Sequence, residues 1–242
     1  MDKDQLINQI VAEVVSRLAS APADVARLID HTLIRPEASP ANLDRLCQEA
    51  VQYGFHGVCV NPNHVAYAAR KLHGTDVKAC ALVGFPLGTM TSRSKAFEAR
   101  ESVSDGASEV HMVMNIGFLK SKDYRAAEED IRAVRRATRR RTILNVIIEM
   151  VLLTQEEKVL ACELACKAGT DFLTSSTGFL GGVATTDDLT LMRRVAGKEV
   201  GLKANGGIRN YRTAVTMIAA GADRLGSQAS VSIMAEAFDT AK

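Results

Sequence analysis

The chain has 242 residues, a formal net charge of +2, 47% hydrophobic residues and 24% charged residues. This is ordinary globular composition, which excludes disorder, collagen-like repeats and a small disulfide-stapled scaffold. The length is close to the roughly 250 residues of one (β/α)8 barrel. No apolar run reaches the ~18 residues of a membrane span, and the near-neutral charge gives no global polyanion footprint.

The first element is a short amphipathic helix. Leu6, Ile7, Ile10, Val11, Val14, Val15 and Leu18 recur at three- and four-residue steps and share one face. Ser20-Ala21-Pro22-Ala23 breaks the pattern, so residues 1–24 read as a helix and linker and residues 25–242 as the main domain. Asp2 and Asp4 stand where a signal peptide is basic, and no long apolar block follows. The five cysteines have no paired metal spacing, so reduced thiols in the cytoplasm are expected. Cys162 and Cys166, four apart in a predicted helix, read as core fillers.

From Arg27 onward the chain alternates. Short apolar runs predict strands at Leu28–Ile34, Gly57–Asn61, Lys78–Phe85, Glu109–Asn115, Ile143–Glu149, Asp171–Ser176, Val200–Asn205 and Asp223–Gly226. Helical patterns lie between them. Ser39-Pro40 offers an N-cap and a first-turn proline, and Thr154/Glu157 and Thr185/Asp188 have capping-box spacing. Glycines 54, 106, 169 and 221 each close a helix. Eight strand–helix units of about 30 residues predict an α/β fold, a closed (β/α)8 TIM barrel. An open doubly wound sheet is disfavoured because the first strand lacks a glycine-rich dinucleotide turn.

A barrel places reacting groups at the C-terminal ends of its strands. His111, Asn145, Thr174, Lys203 and Asn205 are polar residues on strands that are otherwise apolar. Burying Lys203 is costly unless it is paired. It reads as an amine near a ligand, or as half of a structural ion pair, with Glu149 as the candidate partner. Gly206-Gly207 after strand seven and Gly226-Ser227 after strand eight read as a phosphate cradle, with Thr177-Gly178 after strand six as a third edge. Plain tight turns are the alternative.

Other features carry less. His31, His56, His64 and His73 have no ligand spacing, so neither a metal nor a cofactor is expected. Cys59 on strand two either approaches the pocket or is a buried small hydrophobe. Arg132, Arg135, Arg136, Arg139, Arg140 and Arg141 form a basic run above Ile131 and Val134. It reads as a solvated helix face rather than a nucleic-acid surface.

Seven segments in chain order resemble the 2-deoxyribose-5-phosphate aldolase family. They are Ile29-Asp-His-Thr-Leu-Ile-Arg-Pro36, Val58-Cys-Val-Asn-Pro62, Val83-Gly-Phe-Pro-Leu-Gly88, Asn115-Ile-Gly117, Val146-Ile-Ile-Glu149, Ser176-Thr-Gly-Phe179 and Lys203-Ala-Asn-Gly-Gly-Ile-Arg209. The resemblance implies a class I aldolase scaffold, dimeric or tetrameric. It also implies a Schiff-base lysine on strand six, in a Lys-Thr-Ser-Thr-Gly motif. Here that place reads Thr174-Ser-Ser-Thr-Gly178. His111 stands for the family's strand-four aspartate, Asn145 for a strand-five lysine, Met150 for a threonine, Asn205 for a serine and Gln228 for a second phosphate-loop hydroxyl. Lys203 matches the family's strand-seven lysine. Without an amine at Thr174 it loses its like-charge neighbour, which leaves desolvation alone to act on it. Asp30, Cys59, Asn145 and Asn205 are expected to line the pocket.

Three functions follow as expectations. The first is a homologue that binds a small sugar phosphate or phosphorylated aldehyde without Schiff-base cleavage. The second is an altered carbon–carbon lyase with Lys203 as nucleophile and His111 as acid/base. The third is a cargo or structural role. The N-terminal helix is similar to peptides that send enzymes into bacterial microcompartments, so residues 1–20 are a candidate shell contact. A helix capping the barrel and a dimer contact are the alternatives.

Overall fold

The computed structural model describes residues 22–138 and 141–240. The extension read over residues 1–20 lies outside the described residues. All eight predicted strands form: β1 (Ile29–Leu33), β2 (Gly57–Val60), β3 (Lys78–Val83), β4 (Glu109–Val113), β5 (Ile143–Ile147), β6 (Phe172–Thr174), β7 (Gly201–Asn205) and β8 (Arg224–Ser227). They pair in parallel in sequence order, and β8 closes on β1 through Asp30↔Gly226 and His31↔Ser227. The fold is therefore the (β/α)8 barrel.

The strands read as near-continuous apolar runs because both faces are covered. Val58, Val60, Ala81 and Val83 pack outward on the helices, while Cys59, Cys80 and Leu82 form a separate cluster inside the ring with Ile34. Helix α1 (Pro22–Ala26) leads into β1, and α2 (Pro40–Tyr53) follows it. The Ser39 side chain accepts from the Asn42 N–H and Asn42 returns the bond, a complete capping box ahead of Pro40. Thr154 and Glu157 complete a second box. Thr185 makes only half of one. Its hydroxyl accepts from the Asp188 N–H at 3.1 Å, but the Asp188 carboxylate is held by Lys158 at 2.6 Å. Gly54 ends α2 at φ 69°, the left-handed conformation expected there.

Three arginines of the basic run lie on α3 (Tyr124–Ala137) and are paired: Arg132 with Glu128 at 2.6 Å, Arg135 with Asp171 at 2.9 Å, and Arg136 with Glu129, while Arg139 and Arg140 lie outside the described residues. Among the described residues no helix is long and apolar enough to cross a membrane.

Candidate active site

Lys203 sits in the middle of β7, 3% exposed, and points into the ring. Its Nζ donates to Asp30 Oδ2 at 2.5 Å and approaches His111 Nδ1 at 3.4 Å. The expected partner was Glu149, and the structure corrects this. Asp30 lies on β1, two strands away across β8. Gly226 of β8 makes the reach possible, because a Cβ there would lie 3.0 Å from Lys203 Cε and overlap the Asn205 side-chain oxygen. Glu149 instead takes a left-handed backbone, φ 56°, that turns its carboxylate to the next loop. There it accepts from the Thr177 N–H at 2.9 Å.

The pairing also corrects the expected charge logic. Burial is the largest single influence and pushes the Lys203 ammonium down, but the groups around it, led by the Asp30 carboxylate, together hold Lys203 above the ordinary lysine range. Burial first, then the Lys203 charge, push His111 below its usual value, so its imidazole is neutral. Glu109 approaches His111 Nε2 at 3.4 Å, and a carboxylate only accepts. The network therefore assigns the proton to Nε2 and leaves Nδ1 open to the Lys203 ammonium. Cys59 Sγ lies 3.9 Å from the same Nδ1, and burial pushes its thiol up to about 12. Asp30, Cys80 and His111 offer possible metal-ligand atoms within 4.8 Å of one another. Lys203 already contacts two of these three residues.

Thr174 ends β6 and is buried beside Lys203, its register partner. Its hydroxyl donates to Asn145 Oδ1 at 2.7 Å. A side-chain amine is therefore absent from this position, and the hydroxyl that replaces it is already committed.

Above this layer, the loops after β6, β7 and β8 surround a cavity of about 340 Å³. Thr177, Gly178, Gly206, Gly207, Gly226 and Ser227 all line it. Gly206 takes φ 97°, and a Cβ there would meet Ser176 Oγ at 2.7 Å, so the loop needs glycine for both reasons. Arg209 also lines the cavity and is the one charged residue among its lining side chains. Beneath lies a second space of about 20 Å³, bordered by Cys59, His111, Thr174, Lys203 and Asn205. That is room for about one water.

The DeoC/LacD family aldolase model matches residues 25–231. The chain belongs to this family. It is 51% identical over 209 residues to the deoxyribose-phosphate aldolase of Clostridium perfringens, covering 86% of this chain and 93% of that protein. It is 50% identical to the deoxyribose-phosphate aldolase of a Geobacillus species, covering 87% and 95%. The tetrameric deoxyribose phosphate aldolase of Aeropyrum pernix superposes with a TM-score of 0.86 at 29% identity, covering 95% of this chain and 97% of that one.

Within this aldolase scaffold, two of the residues expected to line the pocket lie outside both spaces. Asp30 and Asn145 do not border either space: Asp30 lies behind Lys203, and Asn145 is hydrogen-bonded to Thr174. Asn205 and Cys59 do border the inner space. Ser227 lines the outer cavity, but its hydroxyl donates to the Ile208 carbonyl at 2.7 Å and accepts from the Ala229 N–H at 2.9 Å. The helix after β8 starts only at Ser230.

Sequence reasoning missed Arg209, Glu109 and His56. Arg209 follows Gly206-Gly207 closely in the same loop, which is a usable signal. Glu109 precedes His111 by two in an apolar run and so shares its face. His56 carries no signal, because its partner Glu109 is 53 residues away.

Proposed function

We propose that this chain binds a small phosphorylated aldehyde or sugar at the mouth of the barrel without carrying out Schiff-base aldol cleavage. One observation carries the reading. Lys203 is the only lysine lining either space among the described residues, and it is held as an ammonium by Asp30 at 2.5 Å. A protonated amine has no lone pair with which to attack a carbonyl. The β6 position beside it carries a hydroxyl, which forms no iminium. The glycine loops and Arg209 supply N–H groups and a cation suited to a phosphate.

The test is incubation with deoxyribose 5-phosphate, borohydride reduction and mass spectrometry, beside a calorimetric titration. Saturable binding with no trapped adduct is the expected result. Cleavage that survives stringent contaminant controls overturns the proposal. A second reading, an altered lyase, is favoured by His111 Nδ1 standing 3.4 Å from Lys203 Nζ. An adduct on Lys203 from a panel of aldehydes decides for it.

Two further parts of the reading concern assembly. The chain is proposed to form a homo-oligomer, as the tetrameric Aeropyrum pernix protein does. Residues 1–20 are proposed as an address for a microcompartment shell, on their amphipathic spacing. Deleting them removes partner association and leaves folding intact if this is right; an unchanged interaction profile removes the support.

A further inference from the structure

The outer cavity and the inner space are neighbours, yet Lys203 lines only the inner one. Asn205 borders both. It lies two residues beyond Lys203 on β7, so it shares the same face and stands one step nearer the mouth. Its side chain spans the gap between the neighbouring strands. On one side Nδ2 donates to the Ser176 carbonyl at 2.8 Å, in the loop after β6. On the other side Oδ1 packs on Gly226 of β8, where a Cβ would lie 2.1 Å from Oδ1 and 3.0 Å from Lys203 Cε. The missing Cβ therefore seats both the Asn205 carboxamide and the Lys203 chain, one above the other. The backbone is pinned as well. The Asn205 N–H donates to Ser175 Oγ at 3.1 Å, and its carbonyl accepts from Ser176 Oγ at 2.7 Å.

We propose that Asn205 is a specificity-determining residue, a fixed bar between the mouth and Lys203 that confines the ligand to the outer cavity. The inner space behind it is about 20 Å³, room for a water and none for a carbonyl carbon with its substituents. About 340 Å³ lies in front. A ligand with its phosphate on the glycine loops rests its carbon end on Ile34, Phe179 and Ile208, which line the outer cavity. The ligand class selected is a phosphorylated molecule short enough to lie wholly in front of the bar, with a carbon end that needs no contact with an amine. The role of Asn205 rests on the mouth as the ligand site, but its test uses no phosphorylated ligand, so the two fail separately.

Cys59 reports whether the bar is closed, because it borders the inner space and not the outer one. Cys162 is the internal control. It is buried in the helix Gln155–Lys167, and burial pushes both thiols up to about 12. A difference in their labelling therefore reports access rather than acidity.

The experiment treats the full chain with methyl methanethiosulfonate at mildly alkaline pH and follows each cysteine by peptide mass spectrometry. In the wild type Cys59 is expected to label as slowly as Cys162, both waiting on opening of the fold. In Asn205→Ser the side chain is too short to reach the Ser176 carbonyl. Cys59 is then expected to label roughly tenfold faster or more, with Cys162 unchanged. A wild-type Cys59 that labels several-fold faster than Cys162 overturns the proposal. So does a wild-type Cys59 rate in Asn205→Ser, or a variant in which both thiols speed up together, which marks a loosened fold. If Asn205→Ser fails to fold, the wild-type comparison of the two thiols decides alone.

Discussion

Asp30→Asn isolates the central ion pair in one step. Asparagine keeps the shape and removes the charge that holds the Lys203 ammonium. Asp30 is 1% exposed and Lys203 3% exposed, and the remaining partner of Nζ is a neutral imidazole nitrogen at 3.4 Å. Leaving a buried charge unpaired costs about 3–5 kcal/mol. Lys203 has an escape, which is to release its proton. From an unfolded lysine value near 10.4, release costs roughly 4.6 kcal/mol at pH 7 and roughly 1.9 kcal/mol at pH 9, at ~1.36 kcal/mol per pH unit. The destabilisation is therefore expected at about 3–5 kcal/mol at pH 7 and no more than about 2 kcal/mol at pH 9.

The sign follows from proton counting. In the wild type the folded pKa of Lys203 is raised, so its contribution is present below the unfolded lysine value and lost as pH rises through the folded one. In the variant the folded pKa falls below the unfolded one. The unfolded state then binds more protons, and variant stability rises with pH. Urea unfolding of both proteins at pH 7 and pH 9 measures the difference. A loss below about 1 kcal/mol at pH 7 refutes the reasoning, as does a deficit equal at the two pH values, on the scale set by a broken buried pair.

Three other perturbations read different parts of the structure. Thr174→Lys breaks the 2.7 Å bond to Asn145 and sets a second amine beside Lys203. It is expected to form a borohydride-trappable adduct yet cleave about 10²–10⁴-fold more slowly than an active relative assayed beside it, because no matching acid/base set surrounds it. Arg209→Ala removes the one charged side chain lining the mouth. Affinity for a sugar phosphate, read by calorimetry, is expected to fall by about tenfold to a hundredfold, the value of one charge-assisted bond. Lys95→Met leaves Asp130 buried without the partner now 2.6 Å away, both being 0% exposed. Denaturant unfolding is expected to show a loss of about 3–5 kcal/mol, largely recovered when Asp130→Leu is added, since an apolar pair replaces a buried ionic one at little cost.

Much of the outer mouth was legible before the fold was known. Gly206, Gly207 and Thr177 follow directly from glycine or hydroxyl residues placed just after a strand, a local pattern in a fold whose chemistry sits at strand ends. The inner layer was only half legible. Lys203 and His111 stood out as polar residues in apolar strands, but their partners did not. Asp30 is 173 residues from Lys203 and meets it only because the ring closes and Gly226 leaves a gap. Period-2 patterning names the face a residue uses and not the strand it looks across to.

The sequence by itself determined the barrel, because eight apolar runs separated by capped amphipathic helices bury their surface in few other ways, and it determined that Thr174 stands on strand six at the core. Tertiary structure alone decided the charge state of the site. The surroundings of Lys203, led by Asp30 at 2.5 Å, rather than the loss of a neighbouring amine, set its proton, since together they more than offset desolvation. It also decided that His56, Glu109 and His111, scattered along the chain, stand together.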